Sequence, residues 1–309
     1  MKDLYVVAGI SKQGLHKYNK SMQKKIAYQE LFFEKADRIR EEHPMMGCRK
    51  MYELVQPVIL GRDRFEQLLL GHGYRVKYPR NYIRTTYSQK QYYFPNLIRG
   101  LELNRINRLW QTDITYFYAS GRFYYLTFIE DVYSRKIIGF EASDNLRAEA
   151  NIKALEMAIK SRGRKNLSRL IHHSDKGSQY IDKGYLGLLK SLKIKISMCD
   201  TAWQNAYSER LNGIIKNEYL NAWEIKNLRQ LRIRLKKAVN SYNQRRPHLN
   251  LTNKMSPDNF EKYVSQLQIK SKPSFEIYDD IANQNKGLLT NWPVINKEKR
   301  SKKEILQQQ

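Results

Sequence analysis

Three carboxylates in the 309-residue sequence are candidates for oxygen-ligand chemistry: Asp113 in LWQTDITYF, Asp175 in HHSDKGSQY and Glu209 in NAYSERLNG. Two aspartates and a glutamate that meet at one point are hard ligands suited to Mg2+ or Mn2+. Their mutual repulsion raises at least one pKa in the metal-free state, and divalent cations relieve it. Paired ions can activate a water or a 3′-hydroxyl and stabilise the leaving oxygen of an in-line displacement at phosphorus. Thirty acidic residues offer many other triples, so spacing alone leaves alternatives open. Glu130 and Asp131 could be ligands, although Asp131 is also placed to cap the turn into VYSRK, and Glu218 lies nine residues past Glu209. His172 and His173 suggest zinc, yet adjacent strand residues point to opposite faces, so at most one could face a site. Ser174 lacks the Gly-x-Ser-x-Gly elbow of a hydrolase nucleophile.

The elements that must position these groups follow from hydrophobic periodicity. LWQTDITYFYA alternates as a strand, RFYYLTFIEDVY and RKIIGFEAS are two more, and AEANIKALEMAIKSRG has the apolar spacing of a helix. SRLIHHSD reads as the fourth strand, YLGLLKSL as part of a helix, KIKISMC as the fifth strand and NAYSERLNGIIKNEYLNAW as one long helix. This order predicts an α/β fold, a five-stranded mixed sheet with helices packed on it. Asp113 then lies mid-strand and Asp175 at a strand end, where ligands of open α/β sheets gather. On the long helix, Asn205, Glu209, Asn212 and Lys216 share one polar face, and Tyr207, Leu211, Ile214 and Ile215 the apolar one. The helix should therefore lie on the sheet and present Glu209 outward.

Before this core, residues 1–73 read as a small helical region with three short helices over 30–72 and a shorter candidate in GISKQGLHKYNK. The third helix ends in glycines suited to a C-cap. Arg49 and Lys50 in the second helix, with Arg62 and Arg64 opening the third, predict a helix-turn-helix-like DNA contact. Residues 74–105 interleave tyrosines and cations without helical period and read as a linker able to track nucleic acid. The core is bounded at 106–225, and 226–309 reads as a basic helix broken by Pro247, then a polar tail in which KEKRSKKEILQQQ frays.

The formal net charge is +26, more than a solvated surface needs, and it points to a polyanionic partner, foremost double-stranded DNA. Residues 1–100 carry 19 basic and 9 acidic side chains and residues 226–309 carry 18 and 7, so the excess sits on the flanks of a nearly balanced centre. No apolar run approaches the length of a membrane span, and the N-terminus lacks the apolar stretch of a signal peptide. Cys48 and Cys199 fit reduced thiols in a cytoplasmic protein and no zinc pattern.

In order, WQTDITYF, FIEDVYSRKIIGF, HHSDKGSQY, NAYSERLNGIIKNE and YNQRRPH resemble the OrfB-type insertion-sequence transposases with a retroviral-integrase-like core, over residues 30–260. The resemblance implies an RNase H-like fold with helices on both sheet faces and a triad of Asp113, Asp175 and Glu209 holding two Mg2+ or Mn2+ ions. It implies cleavage of the element's ends and joining of the 3′-hydroxyl to target DNA; a nuclease that does not join and a non-catalytic DNA-binding derivative are the alternatives. His173, Gln179 and Asn205 become neighbours of the site. Lys216 becomes a contact to the element's end, and Arg245 and Arg246 fall in a segment that contacts DNA or supports the core. The family also implies a homo-oligomer on DNA, nucleoid association when bound, and a possible partner or fusion from an upstream frame. Gln204 stands where such proteins often carry aspartate.

Overall fold

The computed structural model describes residues 9, 11–76, 94–167, 169–199 and 202–277. They divide into two compact units, one within Met1–Tyr78 and one within Pro79–Gln309. Most of the basic aromatic stretch expected as a linker and the frayed C-terminal tail lie outside the described residues.

In the first unit a single 31-residue helix, α1 (Lys12–Glu42), replaces the separate short helices expected before His43. No glycine or proline interrupts residues 15–42, and the Ser11 hydroxyl accepts the Gly14 amide to cap its start. The helix stops before Pro44, whose ring disfavours helical backbone at the preceding His43. α2 (Cys48–Val55) and α3 (Arg62–Gly71) fold against its C-terminal half around Phe32, Ala36, Met51, Phe65 and Leu69. α3 closes with Gly73 at φ +87°, its amide on the Leu70 carbonyl and that of Tyr74 on Leu69, the glycine cap the sequence suggested.

The second unit is built on a sheet in the order β4-β3-β2-β5-β6. β2 (Leu109–Ala119), β3 (Arg122–Asp131) and β4 (Lys136–Ser143) form an antiparallel meander, and β5 (Ile171–Ser174) and β6 (Lys195–Met198) run parallel to β2. The two-residue turn at Ser120 and Gly121, both at positive φ, matches the right-handed strand twist. α4 (Ala148–Arg162) and α5 (Lys183–Ser191) cover one face, burying Trp110, Ile129, Leu155 and Leu189. α6 (Ala206–Ile214) and α7 (Leu228–Gln244) cover the other around Phe117, Phe128, Leu211 and Leu235. The architecture is the expected RNase H-like sheet with helices on both faces.

Two segments join the core more closely than the sequence suggested. Residues 94–103, expected within the linker, lie along β6: the Leu97 amide donates to Ser197 Oγ and the Met198 amide to the Pro95 carbonyl. β1 (Glu102–Leu103) pairs with β7 (Phe275–Glu276), and α8 (Pro257–Gln266) buries Phe260 and Val264 against Leu109 and Val132. The chain beyond Pro247 is thus part of the core through Ile277, because Phe260, Tyr263 and Val264, at helical spacing in α8, and Phe275 in β7 share one apolar cluster with Leu109 and Val132. The predicted long helix after β6 also changes character: α6 ends at Ile214, a π-helical turn follows over Ile215–Tyr219, and a 3-10 turn over Leu220–Ala222.

Candidate active site

Strand alternation aims Asp113 at α6. Asp113 pairs in register with Phe128, which lies in the core shared with α6 and α7, so its side chain leaves the sheet on that face. Asp175 follows the last residue of the neighbouring β5. Its Oδ1 accepts the Gly177 amide at 3.0 Å, and a Cβ on Gly177 would stand only 3.0 Å from that oxygen. Gly177 therefore makes the tight turn possible by lacking a side chain, its φ of −65° being ordinary.

Glu209 lies in the first turn of α6, and that helix is tied to β2 at three heights. Asn205 Nδ2 donates to the Thr112 carbonyl (3.0 Å), Asn212 Nδ2 to Asp113 Oδ2 (2.7 Å) and Lys216 Nζ to Thr115 Oγ1 (2.7 Å). The polar stripe read from the sequence is real, but most of it faces the strand; Asn205 and Asn212 are buried and Glu209 is the exposed member. Gln204, where the resemblance expects aspartate, accepts from Asn96 Nδ2 at 2.9 Å, so the segment before β1 helps hold the helix start.

Electrostatics single out Asp113. Burial, then the Asp175 carboxylate and more weakly that of Glu209, push its pKa up to about 8, against hydrogen bonds from the Ile114 amide and Asn212. Burial also raises Asp175 and Glu209. Asp113 and Asp175 thus form a pair that shares its charge badly, with Glu209 a more open third. Among the described residues no three Asp, Glu, His or Cys side chains form a ready-made metal cage. The donor set nevertheless fits a divalent cation: three hard carboxylates, two of them raised by burial beside each other, which a cation would relieve.

The other candidates sort by burial. Glu130 is fully buried, its pKa pushed to about 8 by desolvation against the pull of Arg135. Asp131 is buried too, accepting the Asn107 amide at 2.8 Å, the Tyr133 amide and Arg162. Both are closed to solvent, and Asp131 is taken up by these structural partners. The two histidines diverge as strand neighbours must: His172 Nε2 meets the Tyr185 hydroxyl (2.7 Å) and His173 Nδ1 meets Ser197 Oγ (2.8 Å). Burial drives His172 down to about 3, so it is neutral packing, and His173, expected to line the site, is fully buried below it. Gln179 donates to the Leu146 carbonyl at 2.9 Å and bridges the Asp175 loop to the start of α4.

Of the cations expected to meet DNA, Arg246 is corrected. It is 3% exposed and its guanidinium grips Glu218 through two bonds of 2.8 and 3.0 Å, so it cannot reach a phosphate. Arg245 beside it is exposed. In the first unit Arg49 pairs with Glu66 (2.9 Å) and Arg62 with Asp63 (3.0 Å), while Arg64 is exposed and Lys50 partly buried. Sequence reasoning missed the role of Asn212; its signal was the shared helix face with Glu209. It also missed the Glu218–Arg246 pair, which no local pattern announces.

Residues 104–202 and 190–257 each match a model of the integrase core domain. The transposase of insertion sequence element IS629 from Shigella sonnei is 30% identical over 211 residues, 67% of this chain and 70% of that protein. An uncharacterised 31 kDa protein of insertion element IS600 from the same species is 31% identical over 270 residues, 84% of this chain and 98% of that one. The chain belongs to the insertion-sequence transposases. Its integrase-type core is also similar to the solved HTLV-2 integrase catalytic core domain in complex with magnesium, dimeric form, at 25% identity and a TM-score of 0.41 over 53% of this chain and 99% of that one. In this transposase, no helix among the described residues is long and apolar enough to cross a membrane.

Proposed function

We infer that the chain cleaves the ends of an insertion element and joins the freed 3′-hydroxyl to target duplex DNA, with Asp113, Asp175 and Glu209 as its catalytic carboxylates. The observation that carries this reading is the meeting of three carboxylates, in which burial, then the Asp175 carboxylate and more weakly that of Glu209, push Asp113 up to about 8. Asp113 and Asp175 would hold Mg2+ or Mn2+, two ions per site, with Glu209 completing the set. Such ions polarise phosphorus–oxygen bonds when bound. Asn212 orients Asp113, Asn205 anchors the start of α6, and Lys216, tethered beside Asp113, offers a cation to the phosphate of the element's end.

Both steps are in-line displacements. In cleavage a water oxygen bonds to phosphorus, its proton passes to solvent, and the bond to the 3′ oxygen breaks to leave a hydroxyl. In joining, that hydroxyl oxygen loses its proton and bonds to a target phosphorus, whose own 3′ oxygen departs and is protonated. Because one geometry serves both, no covalent protein–DNA intermediate is needed. The working assembly is a homo-oligomer on DNA that brings two ends together.

Strand transfer from a pre-cleaved element end in Mg2+ tests the reading. Asp175→Asn and Glu209→Gln should each lower it by at least about a thousandfold, roughly 4 kcal/mol of barrier. Retained joining by either variant removes that residue from the triad. A wild-type chain that cuts but never joins the pre-cleaved end is a nuclease.

A further inference from the structure

We propose that the exposed face of α7, with the groove at its N-terminal end, is a second DNA-backbone contact surface, beside the catalytic centre and separate from it. The proposal rests on the reading of the chain as a DNA-joining enzyme and adds where duplex is held during the reaction.

α7 carries Arg229, Arg232, Arg234, Lys236 and Lys237 over 17 residues and no carboxylate. Its buried stripe, Leu231, Leu235, Ala238, Val239 and Tyr242, already satisfies the core, so folding does not call for the outer cations. A solvated face normally alternates charge, because like charges one turn apart destabilise a helix. Two cations here are neutralised: Arg232 by Glu141 at 2.9 Å and Lys226, before the helix, by Glu224 at 3.5 Å. Arg229, Arg234, Lys236 and Lys237 have no carboxylate partner among the described residues.

Two of these cations are held in place. The Arg234 guanidinium lies 5.3 Å and the Lys237 ammonium 5.7 Å from the centre of the Trp223 ring. Cation–π contact fixes both directions in advance, which lowers the ordering cost of meeting an anion. Trp223, Ile233 and Arg234 also line a groove of about 450 Å³ between the 222–226 loop and the first turns of α7. The helix is about 25 Å long, the scale of several duplex phosphates, which carry one charge per about 1.7 Å of axis. Charge complementarity selects this occupant over a second copy of the chain, since two such faces would set like charges together. α7 packs on β4, an edge of the sheet two strands from β2, so duplex held there passes beside Asp113 rather than through it.

The test is equilibrium binding of the full chain to a 5′-labelled duplex in EDTA across a salt series, which makes it independent of catalysis. The variant Arg229→Gln/Lys236→Gln/Lys237→Gln should weaken binding roughly ten- to a hundredfold and flatten the salt slope by about 2 to 3. Lys153→Gln/Lys160→Gln/Lys190→Gln, on α4 and α5 of the opposite sheet face, should leave the slope unchanged, and Arg229→Lys/Lys236→Arg should bind as wild type. Equal losses in the two glutamine triples would reduce the effect to bulk charge and overturn the proposal. So would an unchanged slope in the α7 triple, or a change in assembly state by sedimentation without loss of DNA affinity. Failure of the catalytic reading appears separately, as strand transfer retained by Asp175→Asn or Glu209→Gln.

Discussion

On one face of the sheet, Gly139 lets α4 approach so closely that a Cβ there would lie 2.1 Å from the Ala154 carbonyl oxygen. On the other, under α6 and α7, Gln111 and Glu130 sit opposite each other in the β2–β3 ladder, both fully buried, with Asp113 two residues along. The α4 face is mainly close packing, small residues and interdigitated apolar side chains with a high cost for any added atom, and its buried polar groups are paired across it, Asp131 with Arg162 and Thr127 with Asn151. The α6 face keeps buried polar groups that packing would exclude. It tolerates them by ties such as Asn212 to Asp113 and Arg246 to Glu218, and by holding Glu130 and Asp113 near pKa 8, where a proton can remove the buried charge. Alternate residues of one strand thus serve two unlike environments, one on each face of the sheet.

The comparison breaks hardest at Arg246. Arg246→Ala removes the guanidinium that makes two hydrogen bonds to the buried Glu218 carboxylate and should cost about 3–5 kcal/mol of stability, read by urea denaturation. A loss below about 1 kcal/mol would mean that the polar face does not depend on this ion pair. Gly139→Ala is the counterpart on the packing face. It should cost about 1–3 kcal/mol through overpacking, while the folded fraction keeps its strand-transfer rate; a selective loss of rate with normal stability would end the division of labour.

The pH dependence sharpens it. Asp113 has a folded pKa of about 8, above an unfolded value near ~3.9. Its contribution to stability is therefore complete below about pH 4 and is lost as pH rises through 8. The thermal midpoint of metal-free protein should fall across that window, and Asp113→Asn should flatten the part due to this carboxylate. Mg2+ should restore the wild-type midpoint at pH 8 more than that of Asp113→Asn, because binding to the folded state stabilises it by mass action. Equal slopes in the two proteins would show that Asp113 is not the strained group.

What could be read in the sequence was local. The β2–β4 meander, α4 and the strand position of Asp113 follow from alternation and helical spacing, and the turn from the Ser120–Gly121 pair between two strand patterns. Asp175 and Glu209 stood out through the motifs around them. Misreadings fell where a side chain's partner lies far along the chain. Arg246 falls in a segment that the resemblance left open between DNA contact and support of the core, and Glu218, 28 residues earlier, holds it in the supporting role. The partner that fixes His173, Ser197 on β6, is likewise 24 residues away.

The sequence by itself determined which residues alternate, where helices can begin and end, and the charge that suits a polyanion. Tertiary structure alone decided which carboxylates share a buried space, which cations remain open to solvent, and that Asn212 rather than a histidine steadies Asp113. The physical reason is that periodicity is a property of consecutive backbone geometry. Desolvation and pairing depend on what distant segments bring to the same few ångströms.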